Sequence, residues 1–123
     1  SVRTDVVGSV YTDPKWLAFV LRQLLMNAVQ YARGAAEIEI SSALADGGTT
    51  LTVRDRGIGI PACDLPRIFD KGFTGTTGRR NKKSTGLGLY LCKRMCDSLD
   101  IDISARSEPG DTSFILKFRS VHP

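Results

Sequence analysis

The chain has 123 residues, 41% of them hydrophobic and 24% charged, and a net charge of +4. That suits one domain with its own core and is too short for two ordinary ones. No stretch reaches the roughly eighteen apolar residues of a membrane span, and no secretory leader opens the chain. The charge excess is mild and local, with Lys71, Arg79, Arg80, Lys82, Lys83, Lys93 and Arg94 all falling within 71–94. It suits an anionic ligand, but without interleaved aromatics it makes nucleic acid an unexpected partner.

In chain order, residues 2–12 are β-prone, with Val2, Val6, Val7, Val10 and Tyr11. Asp13 followed by Pro14 has the form of an N-cap and first helical position. Leu17, Val20, Leu21, Leu24, Ala28 and Tyr31 then recur at helical spacing, and Gly34 fits the helix end. Residues 35–43 and 49–55 alternate as strands around the turn Asp46-Gly47-Gly48, which predicts a hairpin. A short helix is expected over 63–70 and an aperiodic loop over 71–85. A second helix is expected over about 86–99, with Leu89, Cys92, Cys96 and Leu99 on one face. Strands over 101–106 and 112–119 close the chain around Glu108-Pro109-Gly110-Asp111. The order predicts an α+β two-layer sandwich, a mostly antiparallel sheet with its helices on one face. Residues 1–123 are read as a single domain; a start at Ser1 and polar ends suggest a piece of a longer protein. The three cysteines are expected as reduced thiols, Cys92 and Cys96 as a buried pair rather than zinc ligands, since no His is near.

Four segments carry chemistry. At 100° per residue, Gln23, Asn27 and Gln30 form a polar ridge beside the apolar stripe of the first helix. Their amides suit a ligand or a hard cation, or simply water at the edge of the core. Asp55 ends a strand before Gly57-Ile58-Gly59-Ile60. Its carboxylate suits an exocyclic amine, the glycines a flat base, and the isoleucines the pocket walls; a tight Asp-capped turn is the bland alternative. Ser84-Thr85-Gly86-Leu87-Gly88-Leu89 opens the second helix, where free amides and the helix dipole favour phosphate. It is neither a Walker loop nor a dinucleotide fingerprint, and Ser84 or Thr85 also suits a plain N-cap. Finally, Lys71, Arg79, Arg80, Lys82 and Lys83 suit phosphates on closure of the 71–85 loop, or a solvated charge run.

Taken together, Asn27-Ala28-Val29-Gln30-Tyr31, Asp55-x-Gly57-x-Gly59-Ile60-Pro61, Ile68-Phe69-Asp70-Lys71-Gly72-Phe73-Thr74 and Thr85-Gly86-Leu87-Gly88-Leu89 resemble the N, G1, F and G2 boxes of sensor histidine kinases, in order and at plausible spacing. The Ser107-Glu108-Pro109-Gly110 turn before Thr112 also resembles that family, and the match covers essentially the whole chain. Lys71-Gly72-Phe73-Thr74-Gly75 and the short segment ending at Lys93 resemble the intramembrane-sensing subgroup that answers cell-wall-active peptide antibiotics.

The resemblance implies the Bergerat ATP-binding fold with a flexible ATP lid, and ATP and Mg²⁺ as cofactors. Asn27 would hold Mg²⁺, Gln30 and Tyr31 would line the phosphate and ribose side, and Asp55 would read the adenine amine with Thr112 helping through water. Gly57, Ile58, Gly59 and Ile60 would receive the base. Phe69 and Phe73 would pack at the base of the lid, Lys71 would take the family's common basic place, and Gly86 and Gly88 would offer amides to the phosphates. The chain differs from many members at Gln23, Gln30, Arg56 and the extra Gly72. The implied activity is donation of the γ-phosphoryl group to a histidine on a separate dimerisation domain, for relay to a response regulator. The implied setting is a cytoplasmic domain of a membrane sensor, homodimeric as a whole, with this piece itself off the membrane. His122 lacks the helical, acidic setting of an acceptor, so the piece alone is not expected to phosphorylate itself. Three rivals are a sibling ATPase, an anti-sigma serine kinase and a degenerate nucleotide-binding regulatory module. The first two would want a Glu where Gln23 stands, and the last is disfavoured by intact Asn27, Asp55 and glycines.

Overall fold

The computed structural model describes residues 2–5, 12–30, 37–45, 47–73 and 87–119. Along them run β1 (Val2–Asp5), α1 (Pro14–Gln30), β2 (Ile38–Ala45), β3 (Gly48–Asp55), a 3-10 turn (Leu65–Arg67), α2 (Gly88–Ser98), β4 (Ile101–Glu108) and β5 (Asp111–Arg119).

Helix α1 starts as its sequence predicts. The Lys15 amide donates to Asp13 Oδ1 at 2.9 Å, and Pro14 occupies a position where a missing N–H costs nothing. Val20, Leu24 and Ala28, four residues apart, are at most 2% exposed, while Leu17 and Leu21 pack beside them. The predicted continuation to Gly34, including Tyr31, lies outside the described residues.

Among the described residues the sheet has the order β1-β2-β3-β5-β4. The β1–β2 pair is parallel and the other three are antiparallel. Parallel neighbours need a crossover between them, and α1 lies in that connection. The β2–β3 hairpin closes where Ala45 pairs with Gly48. Gly47 takes φ +87°, the left-handed backbone such tight turns demand. The strand bounds differ slightly from those predicted: β2 runs on to Ala45 rather than ending at 43, and β4 to Glu108 rather than 106.

One face of the sheet is apolar in rows. Leu51, Leu116 and Ile103 sit side by side on β3, β5 and β4, as do Val53, Phe114 and Ala105 in the next row. These residues and the stripes of α1 and α2 form one core. Arg54, Ser113 and Arg106, of opposite parity, lie on the other face and are not buried. The helices therefore cover one face only, and the expected two-layer α+β arrangement is the one observed.

Two local expectations change. The short helix expected over 63–70 is a 3-10 turn confined to Leu65–Arg67. Pro66 removes an amide donor and crowds the preceding turn, so the segment closes through i to i+3 bonds such as the Arg67 amide to the Asp64 carbonyl at 2.8 Å. Helix α2 begins at Gly88 with Leu87 as its N-cap; the cap candidates Ser84 and Thr85 lie outside the described residues. The helix ends before Asp100, a non-glycine residue at φ +60°. Its Cys92 and Cys96 are fully buried free thiols. Burial, with Cys96 nearby, pushes the Cys92 pKa up to about 12, and burial pushes Cys96 to about 11. Both are inert packing groups, and among the described residues no cluster of three His, Cys, Asp or Glu side chains is set to hold a metal.

Candidate functional site

The apolar rows of the sheet end in a polar one. Beyond Val53, Phe114 and Ala105, the next row on the same face is Asp55, Thr112 and Ser107, from β3, β5 and β4. Strand alternation dictates this, since each residue lies two beyond an apolar one on its own strand. Asp55 is 6% exposed and Thr112 is 3% exposed, so a carboxylate and a hydroxyl stand buried at the edge of the core.

Their hydrogen bonds bind the glycine loop to the sheet. The Gly57 amide donates to Asp55 Oδ1 at 2.9 Å. The Ile60 amide donates to Ser107 Oγ at 2.6 Å, and Ser107 Oγ lies 2.7 Å from Thr112 Oγ1. The Gly110 amide donates to the Gly57 carbonyl at 3.2 Å. On the opposite face Arg54 grips Asp111 with two bonds of 2.8 and 3.0 Å, and that carboxylate holds the Arg54 pKa above its ordinary value. The loop at 55–60 is thus clamped to the β4–β5 turn on both sides.

Burial raises the Asp55 pKa; the Gly57 bond opposes the rise and the Asp111 charge adds to it. Among the described residues the Gly57 amide is the hydrogen-bond donor to this carboxylate, which leaves Oδ2 as an acceptor for an outside donor. Burial without a full set of partners costs free energy in the ligand-free state, and a ligand amine offsets that cost.

Gly59 also has a structural reason of its own. It takes φ +85°, and a Cβ there would lie 3.0 Å from the Glu108 carbonyl oxygen and 3.3 Å from Ser107 Oγ. The glycine is required by the backbone and by close approach of the β4–β5 turn, independently of any base.

Helix α1 places the amide ridge. A Cβ on Gly88 would strike the side-chain carbonyl oxygen of Gln23, so Gln23 packs against the first residue of α2. Asn27, half-buried, lies one turn further on the same face, and Gln30 beyond it is exposed. The ridge therefore borders α2 at its N-terminus, where the first amides lack intrahelical acceptors and the dipole is positive. Leu87 is exposed there and Leu89 packs on the core.

The F-box residues are divided between core and surface. Phe69 meets Phe114 edge-on, with ring centroids 6.4 Å apart, and Phe73 packs against the core beneath the Arg67 guanidinium, 4.6 Å from its ring centre. Ile60 also packs on the core, and Ile58 is half-buried. Lys71 is exposed, its Nζ 6.0 Å from the centre of the Tyr90 ring on α2, with Arg94 also against that ring. Tyr31, Arg79, Arg80, Lys82, Lys83, Ser84, Thr85 and Gly86 lie outside the described residues. Ser107 is the residue that sequence reading passed over. Its signal was its parity with Ile101, Ile103 and Ala105 on β4, which places it in line with Thr112.

The family described as histidine kinase-, DNA gyrase B-, and HSP90-like ATPase matches residues 12–122. Sensor protein BceS of Bacillus subtilis is 53% identical over 110 residues, 89% of this chain and 33% of BceS. Sensor histidine kinase GraS of Staphylococcus haemolyticus is 44% identical over 110 residues, 89% of this chain and 32% of GraS. The chain thus spans about a third of the length of these curated relatives. In fold it is similar to the mycobacterial sensor histidine kinase MprB, with a TM-score of 0.81 at 20% identity over 96% of this chain and 83% of that one. The chain belongs to the histidine kinase-, DNA gyrase B- and HSP90-like ATPase family, and within it to the ATP-binding catalytic domains of sensor histidine kinases.

Proposed function

We propose that this domain binds Mg-ATP between the Asp55 row and the N-terminus of α2, and gives the γ-phosphoryl group to a histidine on a separate dimerisation domain of the same sensor, for relay to a response regulator. The observation that carries the reading is the polar row Asp55, Thr112 and Ser107, which follows the apolar rows on the core face of β3, β5 and β4. Asp55 accepts from the adenine amino group. Gly57 and Ile58 border the base, while Gly59 keeps the loop in place. Amides at the start of α2, including that of Gly88, face the phosphates, and Lys71 and the cations of 79–83 neutralise charge from the lid side.

The residues present fit Mg²⁺. The ion takes oxygen ligands and keeps several waters, bound through few protein groups plus phosphate; the Asn27 carbonyl oxygen beside α2 is such a group. Bound there, Mg²⁺ would neutralise charge on the phosphate oxygens. The chain's own part is positioning, the main demand of phosphoryl transfer. Hydrolysis would require a base for water, and Gln23, packed against Gly88, is an amide with no proton-accepting role at neutral pH. This favours transfer over the ATPase reading.

Likeness to BceS and GraS supports a parent sensor anchored in the membrane, homodimeric, with this domain on the cytoplasmic side and peptide antibiotics as its stimulus class. No helix among the described residues is long and apolar enough to cross a membrane. The site is tested by titrating ATP into wild type and Asn27→Ala with and without Mg²⁺. Wild type binds more tightly with the ion, and Asn27→Ala loses most of that gain. Equal, Mg²⁺-indifferent binding by both would remove Asn27 from its role.

A further inference from the structure

Ser107 holds two bonds at once. Its Oγ accepts the Ile60 amide at 2.6 Å and lies 2.7 Å from Thr112 Oγ1. A hydroxyl has one proton to give and two lone pairs to receive. Either hydroxyl could donate across that contact, and whichever does leaves the other's proton for a further acceptor. In one of the two arrangements Ser107 donates to Thr112. The Thr112 proton is then left to point onward, beside Asp55, its direct cross-strand partner.

We propose that Ser107 is a positioning residue for base selection: anchored by the Ile60 amide, it turns the Thr112 hydroxyl into a donor next to the Asp55 acceptor. The inference rests on the ATP reading above. An acceptor beside a donor, directly or through one water, matches adenine, whose edge offers an amino donor next to a ring-nitrogen acceptor. Guanine presents a carbonyl acceptor next to an N–H donor, the reverse order, and would leave both protein groups facing like partners. A buried donor or acceptor left unmatched is costly, and a site built on such pairing rejects the mismatched ligand strongly.

The test is calorimetric affinity for Mg-ATP and Mg-GTP in wild type, Ser107→Ala, Thr112→Val and the double variant, with Ser107→Thr as the hydroxyl-keeping control. Ser107 is half-buried and its alanine form keeps Cβ, so the fold is retained; melting temperatures check this. Wild type prefers ATP, and Ser107→Ala lowers the ATP-to-GTP preference by about tenfold. Thr112→Val lowers it similarly, the double variant adds nothing further, and Ser107→Thr restores most of it. A purely structural role predicts equal weakening of both nucleotides. That outcome, or an unchanged ratio, or losses that add in the double variant, would overturn the inference while leaving ATP binding intact. A wild type that binds no ATP would overturn the reading beneath it as well.

Discussion

Asp55 is 6% exposed with a backbone amide on one oxygen, so its charge is poorly compensated until a donor arrives. Its folded pKa lies above the ordinary 3.8, chiefly through burial. A raised carboxylate pKa means that the folded state holds the proton more tightly than the unfolded chain does. The ionised group therefore costs stability above the folded pKa, and the cost fades as pH falls through it toward 3.8. Asp55→Asn keeps an oxygen for the Gly57 amide and removes the charge. It is expected to melt higher than wild type near neutral pH, the gap closing on acidification, while binding ATP about 10- to 100-fold more weakly for loss of a charged acceptor. Thermal melts across the acid range check the first half; a lower melting temperature for Asp55→Asn at neutral pH would refute the burial argument. Residues elsewhere in the polar ridge carry no such conflict, since Asn27 and Gln30 keep access to water.

At the scale of elements, much was legible because local signals agreed. Asp13, Pro14 and the stripe through Val20, Leu24 and Ala28 define α1, and the cap is a real bond. Asp13→Ala is expected to cost about 1 kcal/mol of stability with ATP affinity unchanged, as denaturant titration and calorimetry would show; a comparable loss of affinity would mean that the helix start reaches the site. The asymmetric pattern of β4 and β5 was equally readable. What escaped were features made by distant strands. The 63–70 segment departs from its helical expectation because Pro66 supplies no amide donor and the chain there closes as a 3-10 turn. At Gly59 the structural demand for a glycine comes from the Glu108 carbonyl, 49 positions on in the sequence, which approaches the space a side chain would need. Ser107 was invisible as a site residue because its meaning depends on β4 lying beside β5 in that register.

At the scale of the whole molecule, the sheet separates two tasks. Its apolar rows, covered by α1 and α2, hold the fold, and its final polar row is kept for the ligand. The family boxes were legible because each is a short local pattern: Asn27 on α1, the glycine loop after Asp55, the Phe69 and Phe73 pair, and Gly88 at the start of α2. The approach of the amide ridge to the start of α2 was not legible, because it depends on packing of α1 against α2 at Gln23 and Gly88. With about a third of its relatives' length, this chain is expected to bind nucleotide yet form no phosphohistidine by itself. Label from γ-labelled ATP should appear as acid-labile phosphate only when a dimerisation domain carrying the acceptor histidine is added; label on His122 of the chain alone would contradict this.

The most direct measurement is a calorimetric titration of Mg-ATP into wild type and Asp55→Asn at neutral pH. The account predicts saturable binding to a single site in wild type, weakened about 10- to 100-fold in the variant although the variant is the more stable protein. Equal affinity in the two, or no heat of binding in wild type, would contradict it.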